Sequence, residues 1–180
     1  MQKITRSGSF DAAHRIMNER VKCSNIHGHT FNFELTFSFK EADAIGYALD
    51  FKESKRVACA FIDQYLDHAV ILNPLDEDFI ALATKISSRH WIMSLSGGEY
   101  CNPTAEHISK EIFLCVAQLM DSENLRLEEV KLYETAKCSV TTSAEDITEA
   151  ERNNFMKIRR GLLDEWKASV GEFEYDDRRI

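Results

Sequence analysis

From residue 30 to residue 39 the chain alternates strictly. Phe31, Phe33, Leu35, Phe37 and Phe39 are interleaved with Thr30, Asn32, Glu34, Thr36 and Ser38. A period of two predicts a strand with one buried and one polar face. The opening stretch KITRSGSFDAAH reads as its partner strand, with Gly8 a candidate bulge. The period then lengthens. Residues 52–68 carry Val57, Phe61, Ile62, Tyr65 and Leu66 on one helical stripe. Asn102-Pro103-Thr104 opens a second helix, with Thr104 as its N-cap and Ile108, Ile112, Cys115, Val116 and Leu119 on its buried side. EEVKLYET (128–135) and CSVTTS (138–143) return to strand patterning.

The order strand, strand, helix, helix, strand, strand predicts an α+β fold, an antiparallel four-stranded sheet with two helices on one face. Residues 1–142 form the expected body. Residues 75–101 read as an insertion with a helix of its own. Residues 143–180 read as a C-terminal helical extension, in which Phe155, Ile158, Leu162 and Trp166 keep helical spacing. The last stretch, EYDDRRI, reads as frayed. Both additions are expected to lie outside the catalytic centre and to widen an oligomer interface.

Composition narrows the class. The formal net charge is -8, which argues against a nucleic-acid or anionic-membrane partner. No apolar run approaches a membrane span or a signal peptide. Five scattered cysteines without a CxxC fit free thiols in a reducing compartment, and the expected location is cytoplasmic. Cys59 and Cys115 sit on apolar stripes and read as small hydrophobes. Cys101 and Cys138 carry no assignment.

Candidate chemistry concentrates in a few places. His27 and His29 are two apart, so on a strand they share a side, the side of Phe31 and Phe33. His14 has the parity of Phe10 and Ala12 on the partner strand. Three imidazoles can therefore converge at one end of the buried face, the ligand set of a catalytic zinc site with an open position. The bland alternative is that His27 and His29 are two core or surface histidines by chance. Cys23 is open between a fourth ligand, a catalytic base or nucleophile, and an inert residue. Asp67-His68 is either a proton relay or a helix end where a cationic ring suits the dipole. His90 and His107 read as structural. Glu134 has the parity of Val130 and Leu132. It either points inward, toward an Arg or a ligand edge rich in N–H donors, or ends an exposed strand.

Taken together, FDAAHR (10–15), CSNIHGHTF (23–31), LDF (49–51), YLDHAVILN (65–73), NPTAE (102–106) and KLYET (131–135) resemble the 6-pyruvoyl- and 6-carboxy-tetrahydropterin synthase family, in family order. The resemblance implies the T-fold, whose subunits join sheets into a barrel, and hence a homo-oligomer, a tetramer or hexamer. It implies His14, His27 and His29 as zinc ligands and Cys23 as the catalytic thiol. It implies Asp67 and His68 as a second proton-transfer pair and Glu134 as the pterin anchor. Thr104 and Glu106 match a segment lining the pterin pocket. The implied substrate is 7,8-dihydroneopterin triphosphate. The three-residue spacer between Cys23 and His27 resembles the bacterial 6-carboxy branch of queuosine biosynthesis, which releases acetaldehyde and triphosphate. The alternatives are the 6-pyruvoyl branch and a non-catalytic pterin-binding protein.

Overall fold

The computed structural model describes residues 2–171, so the stretch 174–180, expected to fray, lies outside the described residues. The strands β1 (Lys3–His14) and β2 (His27–Phe39) pair antiparallel over their full common length, and β2 pairs with β5 (Leu125–Thr135), which pairs with β6 (Cys138–Ser143). These are the four predicted strands.

The sheet itself has six, in the order β4-β3-β1-β2-β5-β6. The four-stranded antiparallel expectation is therefore corrected. β3 (Ala69–Leu72) and β4 (His90–Ile92) add to the end of β1, both parallel. Parallel neighbours need a crossover, and α3 (Glu77–Ile86), inside segment 75–101, supplies it. The run Ala69-Val70-Ile71-Leu72 is apolar throughout because both faces of β3 are covered. Ile71 joins the main core, while Leu72 packs with Phe79 and Ala83 of α3 on the other face.

The first predicted helix is broken into α1 (Phe51–Ser54), a π turn (Lys55–Cys59) and α2 (Ala60–Tyr65). It lies beside α4 (Ala105–Met120), capped by Thr104 as expected. The helix α5 (Glu149–Val170) completes this layer over the sheet. Its inward stripe differs from the predicted one. Phe155 and Leu163 are fully buried, whereas Ile158 is exposed and Arg159 takes the inward position. Segment 75–101 also enters the main core through Trp91, Met93 and Leu95. The two additions thus meet each other. The Arg159 guanidinium lies 3.6 Å from the centroid of the Trp91 ring, and Asn154 Nδ2 donates to the Leu95 carbonyl at 3.0 Å.

Gly8 makes no bulge. The β1–β2 register is unbroken there, and Gly8 sits opposite Phe33, whose ring fills the space a side chain would take. The shifts in register fall in β5 instead. One lies between Tyr133 and Thr135, which leaves Glu134 as the extra residue.

Candidate metal and proton-transfer site

The ladder puts His14 opposite His27 and Ala12 opposite His29. One-sided parity then gathers the three rings at the end of the buried face, beyond Phe10 and Phe31. Their centroids are 4.5 Å (His14–His27), 5.3 Å (His14–His29) and 5.1 Å (His27–His29) apart. One ligating nitrogen from each lies within 4.8 Å of the others. Main-chain carbonyls orient two of the rings. His14 Nδ1 pairs with the Pro103 carbonyl at 2.7 Å and His27 Nδ1 with the Asn25 carbonyl at 2.8 Å. Those bonds place the proton on Nδ1 and leave Nε2 as a lone-pair donor. His14 Nε2 is buried and has no hydrogen-bond partner. A buried nitrogen without a hydrogen-bond partner, facing two more imidazoles, fits a metal ligand set. Burial, with smaller contributions from the His27 and His29 imidazoles, lowers the His14 pKa to about 4 against the Pro103 bond, so the ring is neutral near pH 7.

Glu134 stands at the mouth of this cluster. It sits at the β5–β6 register shift, and Oε1 lies 3.9 Å from both His14 Nε2 and His29 Nε2. The carboxylate is one-third exposed, open to a ligand as well as to the rings.

Asp67 and His68 are not brought into the cluster. They gather beside Asp11, whose side chain, like that of Thr30 bonded to it, has the parity of the opposite face of the β1–β2 ladder. His68 Nδ1 bonds Asp67 Oδ2 at 2.6 Å, and Asp67 Oδ1 accepts the Asp11 N–H at 2.8 Å. The Thr30 hydroxyl donates to Asp11 Oδ1 at 2.5 Å. His68 has φ +57°, a left-handed conformation held by its N–H bond to the Asp11 carbonyl at 2.6 Å. Its side chain is 73% exposed and lines a cavity of about 420 Å³ together with Asp11, Gly28, His29, Thr30 and Val70. Burial raises the Asp67 pKa, but the Asp11 N–H, His68 and Arg89 outweigh it, so the carboxyl stays below its ordinary range.

Cys23 lies in the exposed loop between β1 and β2, outside the group of ligating atoms that holds the histidines. The fourth-ligand alternative therefore has no support in this geometry. Thr104 is occupied by the helix cap, its Oγ1 accepting from the His107 N–H at 3.5 Å, and Glu106 is exposed in the first turn of α4. Cys59 is half-buried and Cys115 buried, as small hydrophobes are.

Three features escaped the sequence reading. Glu111 is 2% exposed in α4 and accepts from Trp91 Nε1 at 2.9 Å, the Ser94 hydroxyl at 2.7 Å and the Leu95 N–H at 3.1 Å. Its spacing of three from Ile108 was the available signal. Arg15 pairs with buried Asp76 through Nε at 2.6 Å, and Asn102 is buried; neither carries a local sequence signal.

The fold and the site define a class: an α+β protein with a three-imidazole centre at the end of an antiparallel sheet, backed by a carboxylate. Residues 3–145 match the family described as 6-pyruvoyl tetrahydropterin synthase, and the chain belongs to that family. The 6-carboxy-5,6,7,8-tetrahydropterin synthase of Rickettsia bellii is 35% identical over 146 residues, 78% of this chain and 99% of the relative. The fold is that of solved T-fold proteins. The 6-pyruvoyl tetrahydropterin synthase of Caenorhabditis elegans aligns with a TM-score of 0.56 at 22% identity, over 79% of this chain and 95% of that one. A Wolinella succinogenes protein aligns with a TM-score of 0.64 at 18% identity, over 79% and 98%. The helix α5 lies beyond the residues that match the family. Among the described residues no helix is long and apolar enough to cross a membrane.

Proposed function

We propose that the protein is a zinc-dependent 6-carboxy-5,6,7,8-tetrahydropterin synthase acting on 7,8-dihydroneopterin triphosphate, with release of acetaldehyde and triphosphate. The observation that carries this reading is the cluster of His14, His27 and His29 with its unpartnered Nε2 and the Glu134 carboxylate beside it. The 6-carboxy relative of Rickettsia bellii supports the branch. His14, His27 and His29 would hold the zinc, which when bound supplies Lewis acidity toward the side-chain hydroxyls of the substrate.

The chain's own residues do the rest. Glu134 accepts hydrogen bonds from the amino and ring N–H groups of the pterin, which orients the ring as well as binding it. Cys23 takes or returns a proton as a thiolate. His68, its Nδ1 tied to Asp67, offers Nε2 for the second proton transfer. Asp67 and His68 share a chain with the imidazoles but lie on the opposite face of the ladder. We therefore assign them to the substrate held by a neighbouring copy, in a homo-oligomer that is a tetramer or hexamer. Thr104 and Glu106 contribute to the wall of the pterin pocket.

The test is the product. Purified protein incubated with dihydroneopterin triphosphate is expected to yield a 6-carboxy pterin and acetaldehyde, identified by mass spectrometry. A 6-pyruvoyl product would keep the residue roles and move the protein to the sister branch. Cys23→Ala is expected to lower kcat by about 100-fold or more with zinc still bound. Wild-type turnover by that variant would remove the thiol from the mechanism.

A further inference from the structure

Cys23 sits in an irregular, exposed loop, yet a proton-transfer group must be held to within a fraction of an ångström. The structure shows what holds the loop. Asn102, 8% exposed, uses every hydrogen-bonding position its amide has. Its Oδ1 accepts the Met17 N–H at 2.9 Å and Asn73 Nδ2 at 2.9 Å. Its Nδ2 donates to the Met17 carbonyl at 2.9 Å and to the Tyr100 hydroxyl at 2.8 Å. Tyr100 in turn donates to the Met17 carbonyl at 2.6 Å. Both main-chain groups of Met17 are thereby fixed. The neighbouring Ile16 N–H donates to the Cys23 carbonyl at 2.7 Å, which carries the restraint across the loop to the thiol residue.

The same two-residue stretch holds the other half of the site. The Asn102 carbonyl accepts from His107 Nδ1 at 2.8 Å, and the next carbonyl, that of Pro103, holds His14 Nδ1.

We propose that Asn102 is a positioning residue that locks the Cys23 loop in register with the His14 end of the metal cluster. The proposal rests on the reading of Cys23 as the proton-transfer thiol. Only a side-chain amide satisfies this position. It must accept from one main-chain N–H and donate to the carbonyl of the same residue. A carboxylate would place an anion against the Met17 carbonyl.

The experiment uses the full-length, zinc-loaded protein with Asn102→Asp and, as a milder variant, Tyr100→Phe, at a residue that is 45% exposed. Amide hydrogen exchange of the peptide spanning 15–24 is expected to accelerate about tenfold in N102D and about threefold in Y100F, while α4 keeps its protection. Zinc content per chain stays at the wild-type value, because Pro103 holds His14 through the main chain. kcat falls about tenfold in N102D, with KM within about twofold. Unchanged exchange in both variants, or faster exchange with wild-type kcat, would overturn the proposal. A C23A variant with wild-type kcat would instead sink the thiol reading, while the exchange data would still decide whether Asn102 locks the loop.

Discussion

Gly8 shows how a single missing Cβ shapes the core. A Cβ built there would lie 2.4 Å from Phe33 Cζ, and Phe33 is itself 2% exposed with nowhere to retreat. Gly8→Ala is expected to cost about 1–3 kcal/mol in urea denaturation, and the double variant with Phe33→Leu to regain most of it. The glycine was visible in the sequence but its reason was not, since only the cross-strand register names Phe33 as its partner. His14 carries a second residue-scale prediction. Its folded pKa of about 4 lies below the ordinary 6.5, so the unfolded chain binds the extra proton first. Stability from this group is complete above pH 6.5 and is lost as pH falls toward 4, by about 3 kcal/mol in the metal-free protein. Urea midpoints of chelator-treated protein at pH 7 and pH 4.5, compared with His14→Gln, measure it. A slope equal in both proteins would show that His14 is not its source.

Among the elements, α4 does most to join the parts. Its buried residues include the predicted stripe, but Glu111 lies within that stripe and is buried with it. The carboxylate collects donors from Trp91, Ser94 and Leu95 of segment 75–101 and lies 3.9 Å from Arg159 of α5. Burial lowers the Arg159 pKa, and Glu111 works against that shift. Removing one partner leaves the other charge uncompensated. Glu111→Ala is expected to cost about 3–5 kcal/mol, while the paired replacement Glu111→Leu with Arg159→Met costs less than the single change. Chemical denaturation of the three variants decides the order. The helices, the four long strands and the Thr104 cap were legible because each is a local, periodic pattern. The strands β3 and β4 were not. Four and three residues are too short to show a period, and their pairing depends on β1, some 55 residues distant from β3 in sequence.

For the whole molecule, α5 is the element that the family match leaves out and the core takes in. Phe155 is 0% and Leu163 1% exposed, and Trp166 Nε1 donates to the Val57 carbonyl at 3.0 Å. Truncation after Ile147 is expected to lower the thermal midpoint by roughly 10 °C or more, read by circular dichroism, because two large apolar side chains and the Arg159 contact are lost together. Mass in solution of the same variant tests the expected role of the extension in assembly; an unchanged assembly with full activity would sink that role. The sequence by itself determined the α+β class, the four long strands and the shared side of His14, His27 and His29, because period and parity are local properties of a chain. Tertiary structure alone decided the rest. It set Asp67 and His68 beside Asp11, on the face away from the imidazoles, and tied the Cys23 loop to Asn102. Each of these rests on hydrogen bonds between residues tens of positions apart, and no local pattern encodes such a contact.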